Sequence, residues 1–266
     1  MNHRHYRVNV VLESIAPPLP PLEEHSPGSE LVLWQLLDSA FPAGAFAHSS
    51  GLEAARGWNL VTGPEHLADY LRHSLVNTGR STLPFLSESY RNVERVRSLD
   101  GEFDAFLSSH VTNRASRAQG RAFLVASEAA FRARVIAAGE DNRNPLTESS
   151  RAWWLQNLRD EMSQRKIVVH LPIIFGIVAR LLSIPLQTSL KMFLYMFSRD
   201  LISAAVRLNI VGPLQAQSMQ FELGEFTERV ALHCEPLRAR DATQTASMLD
   251  LVQATHDRLY TRLFQS

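Results

Sequence analysis

From Leu31 onward the apolar residues recur at intervals of three and four. No stretch shows the two-residue alternation, rich in Val, Ile and Thr, that marks a strand. The pattern predicts an all-α protein, a bundle of about ten helices in a single domain over residues 30–266. A first helix ends near Asp38. Thr62-Gly63-Pro64-Glu65 has the form of a capping box and predicts a helix running to about Asn77. Further helices are expected near 82–98, 102–111 and 113–137. The last of these has Phe123, Leu124, Ala130 and Phe131 on its core side, and Arg121, Glu128 and Arg132 as polar positions. Gly139–Pro145 is a polar break, and a helix follows near 148–166. The clearest periodicity is Leu186, Leu190, Phe193, Phe197, Leu201, Ala204 and Leu208, a core helix ended by Gly212 and followed, from Pro213, by another near 214–233. Residues 1–29 hold Pro17, Pro18, Pro20, Pro21 and Pro27 among polar residues, which predicts a flexible, solvated arm. No repeat of fixed period is present.

Composition narrows the function. The 266 residues carry 27 Lys+Arg against 27 Asp+Glu, so an electrostatic partner such as nucleic acid or an anionic membrane is not expected. The longest uncharged apolar run, Ile167–Ala179, is too short to span a bilayer and contains His170 and Pro172. The N-terminus lacks the continuous apolar stretch of a secretory signal, and a cytoplasmic protein is the expectation. One cysteine, Cys234, rules out an internal disulfide and a cysteine-based zinc site.

Most familiar chemistry is missing. The only lysines are Lys166 and Lys191, neither preceded by glycine, so there is no P-loop. The remaining basic residues are arginines, suited to bidentate contacts at interfaces. None of the ten histidines pairs at the spacing of an HExxH site, and His66 and His73 lie two turns apart. Met1-Asn2-His3 is the one conceivable chelate for Ni(II) or Cu(II), in a tail where chance accounts for it. No metal site or cofactor is expected. Asp38, His48 and Ser49 or Ser50 suggest a small helical serine hydrolase, but no GxSxG elbow accompanies them, and a histidine beside a serine in sequence points away from it. The expected catalytic set is empty.

Two segments carry more information. LLDSAFPAGAFAHSSGLE, from Leu36 to Glu53, reads as a helix end, a turn at Pro42 and Gly44, then small residues where another backbone can approach closely; Asp38, Ser39, Pro42, Gly44, Phe46, His48, Ser49, Gly51, Leu52 and Glu53 are its candidate turn or interface residues. The chain end offers His256, Leu259, Tyr260, Arg262, Leu263 and Phe264 at helical spacing, aromatic and arginine anchors of the type found in binding hot spots. The pattern fits equally a last helix packed on its own core.

The 36–53 string resembles the signature of the UreF family of urease accessory proteins. HLPIIFGIVARLL from His170, SRDLISAAVRLNIVGPLQAQ from Ser198 and HDRLYTRLFQS at the end resemble further family segments in the same order, so the resemblance covers nearly everything after Leu31. His48 and the RLNIVGP wording are similar to the plant and fungal branch. Ala45 departs from the family pattern, standing where many relatives have a second glycine. The resemblance implies an all-helical homodimer without enzymatic activity that bridges UreD (also called UreH) and the GTPase UreG, docks on apo-urease and promotes nickel insertion, with modulation of UreG GTPase activity as a variant. It also implies that residues 256–266 order on UreD/UreH.

Overall fold

The computed structural model describes residues 30–137 and 148–266, so the proline-rich arm, Met1-Asn2-His3 and the Gly139–Pro145 break lie outside the described residues. Among those described, every regular element is helical: α1 Glu30–Leu37, α2 Leu52–Gly57, α3 Pro64–Ser81, α4 Leu83–Arg91, α5 Val96–Phe106, α6 His110–Ala137, α7 Glu148–Ser163, α8 Leu171–Leu181, α9 Leu186–Arg207, α10 Pro213–Glu222, α11 Gly224–Cys234 and α12 Ser247–Ala254. None is long and apolar enough to cross a membrane.

α8 is the axis. Every residue from Pro172 to Ala179 is buried, as the near-continuous apolar run requires. It lies between α4 and α6, while α9 packs on α3, α10 and α11. One buried apolar cluster extends from Val32 to Phe264. Two glycines set the spacing around α8. A Cβ on Gly176 would sit 2.5 Å from the Leu86 carbonyl of α4, and one on Gly120 would sit 2.0 Å from the Val169 carbonyl just before α8. That approach is locked by buried Asp100 of α5. Its carboxylate accepts the amides of Val168 (2.5 Å), Val169 (2.7 Å) and His170 (2.8 Å), with Val169 in the left-handed region at φ +74°. An anion at the start of α8 also complements the helix dipole. His170 is fully buried, with Ser116 on one ring nitrogen and Asp104 on the other. Arg97 clamps α5 to α7 through both oxygens of Glu161, at 3.1 and 2.8 Å.

Several boundaries differ from those expected. The Thr62 capping box is not made: Gly63 is the N-cap, accepting the Leu67 amide at 3.0 Å, and the Thr62 hydroxyl meets His66 instead. With the helix starting at Pro64, one residue later than a threonine cap would require, Glu65 falls one position short of reaching back. The helix then continues to Ser81, past Asn77. The 82–98 segment breaks at Asn92, where a 3-10 turn over Val93–Arg95 leads into α5. Leu83, Leu86, Tyr90, Val93, Val96 and Leu99 keep three- and four-residue steps straight through this break, so periodicity cannot detect it. α6 starts at His110 because the Ser109 hydroxyl accepts the Thr112 amide. The expected 214–233 helix is two, α10 and α11, separated at Leu223.

Candidate functional site

The turn after α1 is built by backbone conformations that few residues adopt. Gly44 (φ +73°), Ser50 (φ +48°) and Gly51 (φ +83°) are left-handed, whereas Ala45 opens an ordinary 3-10 turn, so the departure from glycine there carries no strain. Asp38 turns its carboxylate onto the Ala40 amide, with Ser39 and Pro42 exposed beside it. Tyr70 of α3 donates to the Ser50 carbonyl at 2.9 Å, and its burial, with the Asp250 charge added, holds the phenol above its ordinary range.

The small-residue segment does receive another stretch of backbone, and it is the chain's own C-terminus. The Gln265 amide donates to the Ala47 carbonyl (2.8 Å), and the Ser49 amide and hydroxyl donate to the Ser266 carbonyl (2.6 and 3.2 Å). Beneath them lies Glu53, only 8% exposed. Its carboxylate accepts the Leu263 amide (2.5 Å), the Phe264 amide (3.2 Å) and His256 Nε2 (2.9 Å). Leu52, beside it, is fully buried in the core. Arg207 of α9 lies between two rings, 3.7 Å from the Phe46 centroid and 4.2 Å from that of Phe264, and donates to the Phe46 carbonyl. Arg114 of α6 engages both oxygens of Asp257 (3.0 and 2.9 Å) and donates to the Gln265 carbonyl (3.3 Å), while His110 and Arg262 bond the same carboxylate. The Arg114 hydrogen bonds hold Asp257 well below the usual carboxylate range. Trp58 closes the end, donating to Thr255 at 2.9 Å.

The tail therefore differs from a free helical end. Only His256–Arg258 is helical, as a 3-10 turn, and His256 and Phe264 are buried in their own domain. Tyr260 is fully exposed and Leu263 half-exposed, pointing outward between the anchors with Phe46 also exposed nearby. Geometry opposes the hydrolase reading. The His48 ring pairs with the Ser266 hydroxyl (2.5 Å), not with Ser49 or Ser50; Ser49 and Ser266 are both buried beyond reach of a substrate. Among the described residues no group of three or more His, Cys, Asp or Glu side chains is arranged to hold a metal ion.

Sequence reasoning missed Arg114, Asp257, Arg207 and Trp58, whose partners lie far away along the chain. Arg207 lies in the SRDLISAAVRL stretch and Asp257 in HDRLYTRLFQS, but nothing local shows the two rings around the one or the Arg114 fork on the other.

Against this geometry, a family model described as UreF matches residues 61–224, more than half of the chain. The chain belongs to the UreF family. It is 39% identical over 236 residues to urease accessory protein F of Arabidopsis thaliana, covering 88% of this chain and 91% of the relative. It is 35% identical to urease accessory protein F of Oryza sativa subsp. indica, covering 91% and 86%. It is 32% identical to urease accessory protein UreF of Granulibacter bethesdensis, covering 89% and 92%. Membership assigns the chain a role in urease maturation. The matched span of the family model stops short of both the 36–53 turn and the tail, so the contact between them is evident only from the structure.

His48 gives this UreF-family contact a pH dependence. Burial, then the charges of Arg114 and His256, lower its pKa from 6.5 to about 4. The folded protein thus holds this proton more weakly than the unfolded chain. The contribution is complete above about 6.5 and is lost as the pH falls toward 4, at most about 3 kcal/mol by linkage. Urea unfolding at about pH 7.5 and 4.5 should show a smaller loss for His48→Gln than for the parent; equal losses would mean that His48 does not titrate across this range.

Proposed function

We propose that this protein is a cytoplasmic, homodimeric, non-enzymatic adaptor of urease maturation, which bridges UreD/UreH and the GTPase UreG on apo-urease, with nickel carried as cargo by the complex and no resident cofactor here. The observation that supports the reading is the tail. Tyr260 and Leu263 are exposed on a segment fixed from both sides, by Asp257 and His256 before them and by Phe264 and Ser266 after them. Exposed aromatics on a rigid support bind at low ordering cost. Leu60 and Met248 line a groove of about 490 Å³ between α3 and α12, and Trp58 and Leu251 are also exposed, so the chain carries further apolar surface besides the tail. In this reading UreD/UreH is the partner of the tail. Modulation of UreG GTPase activity would follow from the same assembly.

Removing residues 256–266 would also remove buried His256 and Phe264, so point changes in the exposed side chains test the reading more cleanly. Tyr260→Ala combined with Leu263→Ser should leave the melting temperature within about 2 °C and weaken capture of the UreD/UreH homologue about a hundredfold, as loss of two hot-spot residues does. Capture at the parent's strength by this variant would remove the tail from the interface.

A further inference from the structure

With 27 basic and 27 acidic residues in the chain, a local excess of charge has to be made by placement. α6 makes one. His110, Arg114, Arg117 and Arg121 follow one another at steps of four, three and four, which puts them on one helix face. All four line a groove of about 670 Å³ that opens at Leu107 and Ser108, where α5 gives way to α6. At one end of the stripe, both nitrogens of the Arg114 guanidinium already grip a carboxylate, that of Asp257. A second carboxylate near the stripe, Asp104, accepts from Asn113 and meets His170. Arg117 lies within electrostatic reach of Asp104, and beyond it Arg121 has no acidic partner among the described residues. Arg117 is half-buried and Arg121 exposed, and among the described residues neither makes a hydrogen bond or ion pair. Arg121 stands two turns from Arg114, about 10 Å along the axis.

We propose that the α6 groove is a docking site for an acidic segment of a partner protein, whose carboxylates meet Arg117 and Arg121 as Asp257 meets Arg114. The linear spread favours an extended peptide over a compact phosphate group, which needs donors converging on one point; here single guanidinium forks are strung out along a helix. The groove meets the tail at Arg114 and Asp257, whereas Arg121 lies two turns further along α6, so substitutions at Arg121 and Tyr260 test the two interactions apart.

The probe is a fluorescein-labelled oligoglutamate peptide titrated with the full chain by anisotropy, with oligolysine and inorganic triphosphate as comparisons. Arg121→Glu should weaken oligoglutamate binding at least tenfold with an unchanged melting temperature. Arg121→Lys should retain most of the affinity, Tyr260→Ala all of it, and binding should fall steeply with added salt. Unchanged affinity in folded Arg121→Glu would overturn the proposal. So would displacement of the peptide by triphosphate at equal concentration, which would make this a phosphate site, or equal binding of oligolysine.

Discussion

Replacing Glu53 with alanine should release the last residues of the chain from the body while leaving the helical core folded. One buried carboxylate accepts the Leu263 amide, the Phe264 amide and His256 Nε2, so its removal orphans two backbone donors and an imidazole at once. Each buried donor left without an acceptor costs about 1–3 kcal/mol, and water is available if the segment lifts away. Opening is therefore the cheaper response. Losing about 3 kcal/mol of anchoring corresponds to a rise of more than a hundredfold in the open population. Native-state amide exchange should read this directly, with protection lost at Leu263, Phe264 and Gln265 and kept along α8. Glu53→Gln keeps one acceptor oxygen and should fall between. If Tyr260 and Leu263 act from a pre-fixed position, UreD/UreH capture should weaken in Glu53→Ala although both side chains are intact. Unaltered exchange at Leu263 and Phe264 would show that the carboxylate does not hold the tail.

That experiment concerns the part of the protein least legible in the sequence. The helical class and the most clearly periodic core helix follow from apolar spacing because α9 buries Leu190, Phe193, Leu201 and Ala204 of the three- and four-residue series. The small residues from Ala45 to Gly51 announce a close approach of backbone, and one occurs there. Nothing local says that the approaching segment is Gln265–Ser266, more than two hundred positions away. The turn also shows why a named residue can be seen without its role. Glu53 belongs to a recognisable string, but an acidic side chain after a glycine reads as a helix first turn until its three hydrogen-bond donors are in place. The tail misleads in the opposite direction: Leu259, Tyr260, Leu263 and Phe264 have helical spacing, and pinning by Glu53 and Ser49 overrides it. The breaks at Asn92 and Leu223 were lost because a helix that bends while keeping its apolar face toward one core preserves its period.

Gly120→Ala should produce the largest loss of stability, at a position where local propensity argues for a gain. Alanine is favoured over glycine inside a helix by about 1 kcal/mol. Here the added methyl carbon would lie 2.0 Å from the Val169 carbonyl oxygen, 2.7 Å from the Leu171 nitrogen and 2.8 Å from the His170 carbonyl carbon, all of them main chain. A side chain could rotate aside, but this backbone is held by the three amides on Asp100 and by the left-handed turn at Val169. Relief requires α6 to move off α8 or the Asp100 bonds to break, and either exceeds the propensity gain. The net cost is at least about 3 kcal/mol. Gly101→Ala on α5 supplies the contrast, because nothing lies within 4 Å of its added Cβ. That change should raise stability by up to about 1 kcal/mol. Urea midpoints for the two variants should therefore move in opposite directions from the parent. A midpoint for Gly120→Ala at or above the parent's would mean that α6 does not pack against the start of α8 at this distance.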